Sequence, residues 1–452
     1  MGIKLTICLA IFCRILWSSE IIGTSSFWYP GLSNADRSYG QRLIARNSSD
    51  DLFVVYPDIA GGKAVIKFVK QFRNARGELE WAAPAIVTAG YAPSLSMSKS
   101  SCLYLVYLTG DSVVYRTMKR DSVWSEPHVV TPVQELLIKR RMEPPEKNVR
   151  PRIDIDGADR PHIIWLCIQS GAGYLLHYTI DKGISHRSIV TNSTIGSIGD
   201  FDIASNLLYS STDIFVVCEA YSGLNMPKIH LFTFREGRTY WKPVSFDYPD
   251  VKPFPGTSPR LAVGYSDLDF HHDIPVIMYQ NQNKVKTAVL WQRSGRGLLD
   301  TFDLVRGPVA SLGIDNPIAR ENAEFSFIYT RSDSLYHHHV VIMPNQSPSG
   351  TNYRMTTNTI VTGKPLDPSL TYKQFNSGYI DVVWAQTRDT VWNIMYQRMF
   401  KWLVAVNEEG RHAIQLPYMN RPAIPELFDY MGRHIGPDAR FLKNRYHRII
   451  SK

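Results

Sequence analysis

Three arginines, Arg42, Arg152 and Arg260, stand at the start of short apolar segments that recur along the chain, RLIAR, PRIDI and PRLAV. Sister segments, PSLSM, FDIAS, ASLGI and PSLTY, put Ser94, Asp202, Ser311 and Ser369 in the equivalent place. If these segments are innermost strands around a common axis, the seven side chains lie at one height. Guanidinium groups gathered there offer forks of N–H donors that match a carboxylate or sulfate two bonds at a time. The expected ligand-binding set is therefore Arg42, Arg152 and Arg260 with Asp202 at the edge, and the hydroxyls of Ser94, Ser311 and Ser369. A second reading stands beside it: each arginine pairs with a neighbouring acid, such as Asp154 or Asp202, and seals the axis. Spacing alone names no catalytic residue.

The histidine runs His271-His272 and His337-His338-His339 invite a metal reading. Consecutive residues on a strand face opposite ways, so at most His337 and His339 share a ligand sphere, and no third ligand follows from spacing. No metal and no cofactor is expected. The chain has no phosphate-binding loop, no Gly-x-Ser-x-Gly elbow and no dinucleotide fingerprint, and only its net charge of +9 speaks for nucleic acid.

The elements that must hold these residues are legible as a repeat. Apolar strands close on an aromatic or cysteine at Tyr56, Tyr107, Trp165, Cys218, Tyr279, Tyr329 and Trp384, at intervals of 50 to 61 residues. Each follows one of the seven segments above and precedes a third run, such as SVVYRTM from Ser112 or KIHLFTF from Lys228. Several fourth runs open on tryptophan, at Trp81, Trp124 and Trp241; another is TNTIVT from Thr357. β-Branched and aromatic runs of four to eight residues between polar turns read as strands. Seven copies of a four-strand unit predict an all-β fold, a seven-bladed β-propeller of four-stranded antiparallel blades with a short C-terminal extension. The opening tryptophans are expected to fill the wedges between blades. The fourth strand of the last blade stays open between Leu403–Val406, His412–Leu416 and a segment before Arg42.

A chain of 452 residues would ordinarily suggest two or three domains, but a repeat that shares one ring overrides that prior. The N-terminus MGIKLTICLAIFCRILW has one early lysine, a short apolar run broken by Arg14 and small residues near Gly23 to Ser26. That pattern predicts a cleaved secretory leader rather than a membrane span. The expected partition is a leader over 1–25, packed on nothing, a propeller over 26–416 and a basic extension over 417–452 with a short helix near Glu426 to Arg433. The stretch 133–150 reads as a solvated basic loop. Cys102, Cys167 and Cys218 are expected as free, mostly buried thiols, because they sit in different repeats and form no CxxC pair. Asn47, Asn192 and Asn345 head glycosylation sequons.

The turns NARGELEW (Asn74 to Trp81), KRDSVWSEP (Lys119 to Pro127) and REGRTYW (Arg235 to Trp241) resemble worn Asp-boxes, the bacterial neuraminidase repeat. Over about residues 40 to 416 the chain is similar to the sialidase superfamily of propellers. The resemblance implies an arginine triad that grips a carboxylate, a Tyr–Glu nucleophile pair and an aspartate acid/base. Sialidases have six blades and an Arg-Ile-Pro motif where this chain reads Arg42-Leu43-Ile44; seven-bladed relatives include polysaccharide lyases that use His, Tyr and Arg. Two functions follow as expectations. One is a secreted, monomeric binding module for an acidic glycan or an extracellular protein. The other is a sialidase-like hydrolase or polysaccharide lyase on acidic glycans, which requires a tyrosine beside a carboxylate within reach of the arginines.

Overall fold

The computed structural model describes residues 19–26, 42–110, 112–119, 123–130, 147–169, 172–191, 195–206, 212–222, 226–235, 241–244, 251–266, 272–293, 296–306, 311–314, 318–319, 323–343, 352–362, 365–370, 379–388, 391–400, 427–428 and 434–435. Two units are distinguished, Met1–Leu403 and Val404–Lys452. The first is a β-propeller of seven antiparallel blades, each with its strands in the order innermost to outermost.

The innermost strands are Ile44–Arg46, Tyr91–Met97, Lys147–Ile155, Ser197–Ser205, Thr257–Ser266, Ser311–Ile314 and Pro365–Leu370. Their partners, the second strands, are Leu52–Ala60, Leu103–Thr109, Pro161–Gln169, Ile214–Tyr221, His272–Asn281, Ala323–Arg331 and Tyr379–Arg388. All seven carry the apolar runs read from the sequence. Their residues are buried on both faces because each blade packs between two others, so the core is divided among the seams: one apolar cluster runs from the seventh blade through the first to the second, another joins the second and third, and another the third and fourth. Burying a side chain such as Trp165 or Phe215 there contributes about 1.5 to 3 kcal/mol. The opening tryptophans do fill wedges: Trp81 meets Tyr396 edge-on at 4.9 Å, Trp124 meets Phe68 at 5.4 Å, and Trp241 meets His177 at 5.1 Å.

The ring closes through the segment before Arg42. Glu20–Ser25 is the outermost strand of the seventh blade, paired antiparallel with Val391–Phe400. It is tied sideways to the first blade, where Trp81 Nε1 donates to Glu20 Oε1 at 2.9 Å, Ser25 Oγ to the Pro57 carbonyl at 2.9 Å and Ser26 N to Asp58 Oδ1 at 2.8 Å. Gly23 is required there, since a Cβ would fall inside the Tyr56 hydroxyl. The expectation that residues 1–25 pack on nothing is therefore corrected for Glu20–Ser25: an open blade edge needs a fourth strand, and this stretch supplies it. Residues 1–18, and the alternatives Leu403–Val406 and His412–Leu416, lie outside the described residues. A buried ion cluster adds a second clasp. Asp381 of the seventh blade is ion-paired with Arg46 of the first and accepts from Arg398 Nε at 2.8 Å and from Tyr396 Oη at 2.7 Å.

Two smaller expectations change. The end of the stretch read as a loop, from Lys147 onward, already belongs to the third blade's innermost strand. In the second unit Leu427–Phe428 pairs antiparallel with His434–Ile435 where a helix was expected, and Leu-Phe suits a strand. Cys102, Cys167 and Cys218 are free thiols, the first half-buried and the others buried. Asn47 is buried, its Oδ1 accepting Ser49 N and Asp51 N, so it shapes a turn instead of presenting a sequon.

Candidate functional site at the axial mouth

One local device aims the inner strands. The ladder slips between Tyr91 and Ser94, Val149 and Arg152, Thr257 and Arg260, and Leu366 and Ser369, and each slip holds an Xaa-Pro step: Ala92-Pro93, Arg150-Pro151, Ser258-Pro259 and Asp367-Pro368. Proline lacks the N–H that a ladder would use, so it suits a bulge, and Ala92, Arg150 and Ser258 take up φ near +50° to make the bend. The fourth blade slips likewise between Ile198 and Phe201. After the bulge, Ser94, Arg152, Asp202, Arg260 and Ser369 pair with Val106, Ile164, Val217, Met278 and Val383, each the residue before a closing aromatic or Cys218. Those five share one height, as the alignment requires.

Arg42 and Ser311 do not. In the first blade it is Leu43 whose carbonyl accepts from Val55 N, just before Tyr56, so Arg42 stands one residue earlier. In the sixth, Ser311 pairs with Thr330, and Gly313 occupies the register opposite Ile328. Neither innermost strand shows the bulge found in the other five, so the residues aligned with the post-bulge positions stand out of step. The side chain of Ser311 lies outside the described residues.

Arg42 nonetheless joins the cluster by reaching away from its own blade. Its guanidinium donates to the Ile153 carbonyl at 3.1 Å and to the Ile203 carbonyl, and lies 3.4 Å from Asp154 Oδ1 and from Asp202 Oδ1. Arg152 Nη1 lies 3.4 Å from the same Asp202 oxygen, and its Nη2 lies 3.6 Å from Asp200 Oδ1. Arg260 Nη1 binds Asp200 Oδ2 at 2.7 Å, and Arg150 Nη1 is 3.9 Å from Asp200 Oδ1 while donating to the Gly199 carbonyl at 2.8 Å. Four guanidinium groups thus share three carboxylates, those of Asp154, Asp200 and Asp202. All are buried except Asp200, which is partly open, and Arg150 stands at the edge. Burial opposes charge on Asp200, but Arg260, Arg152 and Arg150 outweigh it and hold its carboxyl below the usual range. Arg152 is pushed down to about 10, first by burial and then by Arg260 and Arg42, against the pull of Asp202 and Asp200.

A second pair, missed in the sequence, stands at the same mouth. Tyr221 Oη donates to Glu219 Oε1, and Ser258 N donates to Glu219 Oε2 at 2.8 Å. Both side chains lean on Gly199, where any Cβ would collide with them. Burial raises the Glu219 carboxyl, and burial followed by the bond to Glu219 raises the Tyr221 phenol. The Glu-x-Tyr spacing, which puts two residues on one face of a strand, was the available signal, but the repeat had been read only as far as Cys218.

The remaining candidates are structural. Ser369 Oγ accepts from Leu43 N at 3.0 Å and so joins the seventh blade to the first, and Ser94 is fully buried. His337, His338 and His339 lie inside the sixth blade, with His338 Nε2 at 3.0 Å from Tyr329 Oη and His339 Nδ1 at 3.3 Å from Ser326 Oγ. Among the described residues no group of three or more His, Cys, Asp or Glu is arranged to hold a metal ion. A separate polar chain crosses the seam of the third and fourth blades: Trp241 Nε1 donates to Ser188 Oγ at 3.2 Å, Ser188 Oγ is 2.9 Å from His177 Nδ1, His177 Nε2 is 3.0 Å from His162 Nδ1, and His162 Nε2 is 3.3 Å from Asp156 Oδ2. Burial, then the neighbouring His162 and His186, keeps His177 well below its ordinary value.

No protein-family model and no curated protein matches the sequence. Among solved structures the chain is similar to the polysaccharide lyase Uly1, at 12% identity over 86% of this chain and 95% of that one, with a TM-score of 0.47. It is similar to an arginine-substituted variant of AofleA from Arthrobotrys oligospora, at 9% identity over 76% and 90% of the two chains, TM-score 0.43. It is also similar to the NanB sialidase of Streptococcus pneumoniae, at 9% identity over 84% and 70%, TM-score 0.40. On its own sheet topology the chain is a β-propeller of seven blades.

Proposed function

We propose that this protein is an exported binding module that recognises an anionic ligand, an acidic glycan in the first instance, at the axial mouth bordered by Arg150, Asp200, Arg260 and Tyr221. The observation that carries the reading is an unspent donor: where Arg150, Arg152 and Arg260 gather around the partly open Asp200, Arg150 Nε is buried without an acceptor among the described residues. A buried donor left unmade costs about 1 to 3 kcal/mol, which an incoming carboxylate or sulfate would recover. Tyr221, 39% exposed, offers a ring for a sugar face beside it. The deeper arginines, Arg42 and Arg152, are already held by Asp154, Asp200 and Asp202 and fix the frame behind the site.

One observation favours the hydrolase reading: Tyr221 beside Glu219, near Arg260, meets the tyrosine-carboxylate criterion. Against it, the surroundings raise the phenol when a nucleophile needs it lowered, and Asp200, the nearest candidate acid, is held by Arg260. Incubating the protein with sialylated and uronate-containing oligosaccharides, with wild type and Tyr221→Phe in parallel, separates the two. Retention without product supports binding; turnover abolished by Tyr221→Phe would replace it with catalysis. Secretion is part of the proposal, resting on the N-terminal apolar run; among the described residues no helix is long and apolar enough to cross a membrane.

A further inference from the structure

On the far side of the ring from that mouth, a cavity of about 510 Å³ opens on the seam between the second and third blades. The innermost strand of the third blade starts at the mouth with Arg150 and ends at the turn 156–160, so the cavity, lined by Ala158 to Pro161, belongs to the opposite rim. We propose that it is a second ligand site, for a neutral saccharide of one or two rings.

Its size falls within the range of small-ligand sites, about 300 to 1,000 Å³. Its wall is aromatic. Tyr115 is backed by Tyr178 at 6.2 Å and overlaid by the exposed His128 ring, 5.0 Å away and 18° from parallel; Tyr104 stands beside them. Flat rings of this kind take the C–H face of a pyranose. Its rim alternates in charge, with Asp159 and Asp181 against Arg160 and Lys182. An anion would face both carboxylates, and a wholly apolar guest would strip water from four charged groups without replacing it. A ligand that carries hydroxyls at its edge and C–H on its face satisfies both wall and rim.

The rim is also preorganised. Asp159 accepts Lys99 N at 2.7 Å and Ser100 N at 3.1 Å from the second blade, which fixes the seam across which the cavity forms. Arg160 Nε donates to the buried Asp156 Oδ2 at 2.7 Å, and its Nη1 lies 3.6 Å from Asp181. Asp181 itself is 40% exposed and Lys182 sits in a tight turn with φ of 49°, so both present their polar ends to solvent and to the cavity.

The test uses the full chain on an array of neutral oligosaccharides with gluco, galacto, manno and fuco configurations, then calorimetry with whichever is retained. His128→Ala removes one stacking ring and Asp181→Ala one rim acceptor. Both residues are at the surface, so unchanged melting temperatures certify the fold. Each variant is expected to weaken neutral-sugar binding at least tenfold while leaving acidic-glycan binding as in wild type. Retention of no neutral sugar, or neutral-sugar affinity unchanged in both variants, would overturn the site. Arg150→Gln, at the opposite mouth, should not affect it, and a loss of neutral-sugar binding in that variant would also overturn it.

Discussion

Asp202→Asn changes one atom and should nonetheless be among the more damaging single substitutions in this protein. Both carboxylate oxygens are in use. Oδ1 accepts Ile203 N at 2.9 Å and faces Arg42 and Arg152 at 3.4 Å, and Oδ2 accepts Leu261 N at 2.9 Å from the next blade. An asparagine can turn its carbonyl toward only one of these backbone donors; its amide then confronts the other, N–H to N–H. At the same time the charge shared by two buried arginines disappears, though Arg42 keeps Asp154 at 3.4 Å and Arg152 keeps Asp200 at 3.6 Å. Breaking a buried ion pair by removing one partner costs about 3 to 5 kcal/mol, and the orphaned N–H adds about 1 to 3, while the surviving partners return part of it. The expected loss is about 3 to 5 kcal/mol. Denaturant titration followed by tryptophan fluorescence reads it as a lower midpoint at an unchanged slope. A variant within about 1 kcal/mol of wild type would mean that Asp202 does not hold the third, fourth and fifth blades together, and the account of the cluster would fall with it.

Acid should loosen the ring earlier than carboxylate titration alone would. His338 is pushed down to about 4 by burial and His177 lies well below its usual value, so the folded state binds fewer protons than the unfolded one between pH 6.5 and about 4, and stability is lost as pH falls through that window. At pH 5 His338 should cost about 2 kcal/mol and His177 should act in the same direction, with Glu219, whose raised carboxyl takes up a proton in the folded state first, offsetting some of it. Melting temperatures at pH 7 and 5 check this, and His338→Asn should make the drop smaller; an undiminished drop would contradict it. Gly23→Val should detach the outermost strand of the seventh blade at a cost of about 1 to 3 kcal/mol, seen as faster proteolysis near Glu20; unchanged protection would contradict the closure. At pH 8 Cys102 should alkylate before Cys167, whose thiol burial pushes up to about 12, and before the buried Cys218; labelling of all three at one rate in the folded protein would be the contrary result.

What could be read in advance was whatever repeats. The closing strands and innermost segments were legible because a blade buried on both faces must be written in β-branched and aromatic residues, seven times over. The Xaa-Pro steps before Ser94, Arg152, Arg260 and Ser369 are visible in the sequence, but the first and sixth blades lack them, and only the strand pairing sets Leu43 and Gly313, not Arg42 and Ser311, at the shared height. Glu20–Ser25 was hidden because a strand that pairs with residues about 370 positions away has no local partner to announce it, and it follows directly on the N-terminal apolar run. The site was half legible: residue types suggested convergent arginines with Asp154 and Asp202 as pairing acids, but Asp200 and Arg150 join the cluster only through the bulges that fold them in. Tyr221 is brought to the mouth only by a strand longer than the repeat unit.

The central claim, an anion site at the axial mouth, turns on Arg150, the guanidinium that stands at the edge with a donor unspent. Calorimetric titration of wild type and Arg150→Gln with one acidic oligosaccharide, a sialyllactose or a uronate trisaccharide, tests it directly. A charge-assisted contact contributes about 1.5 to 3 kcal/mol, so the variant should bind at least about tenfold more weakly with its melting temperature nearly unchanged. Equal dissociation constants for the two proteins, or no heat with either ligand, would contradict it.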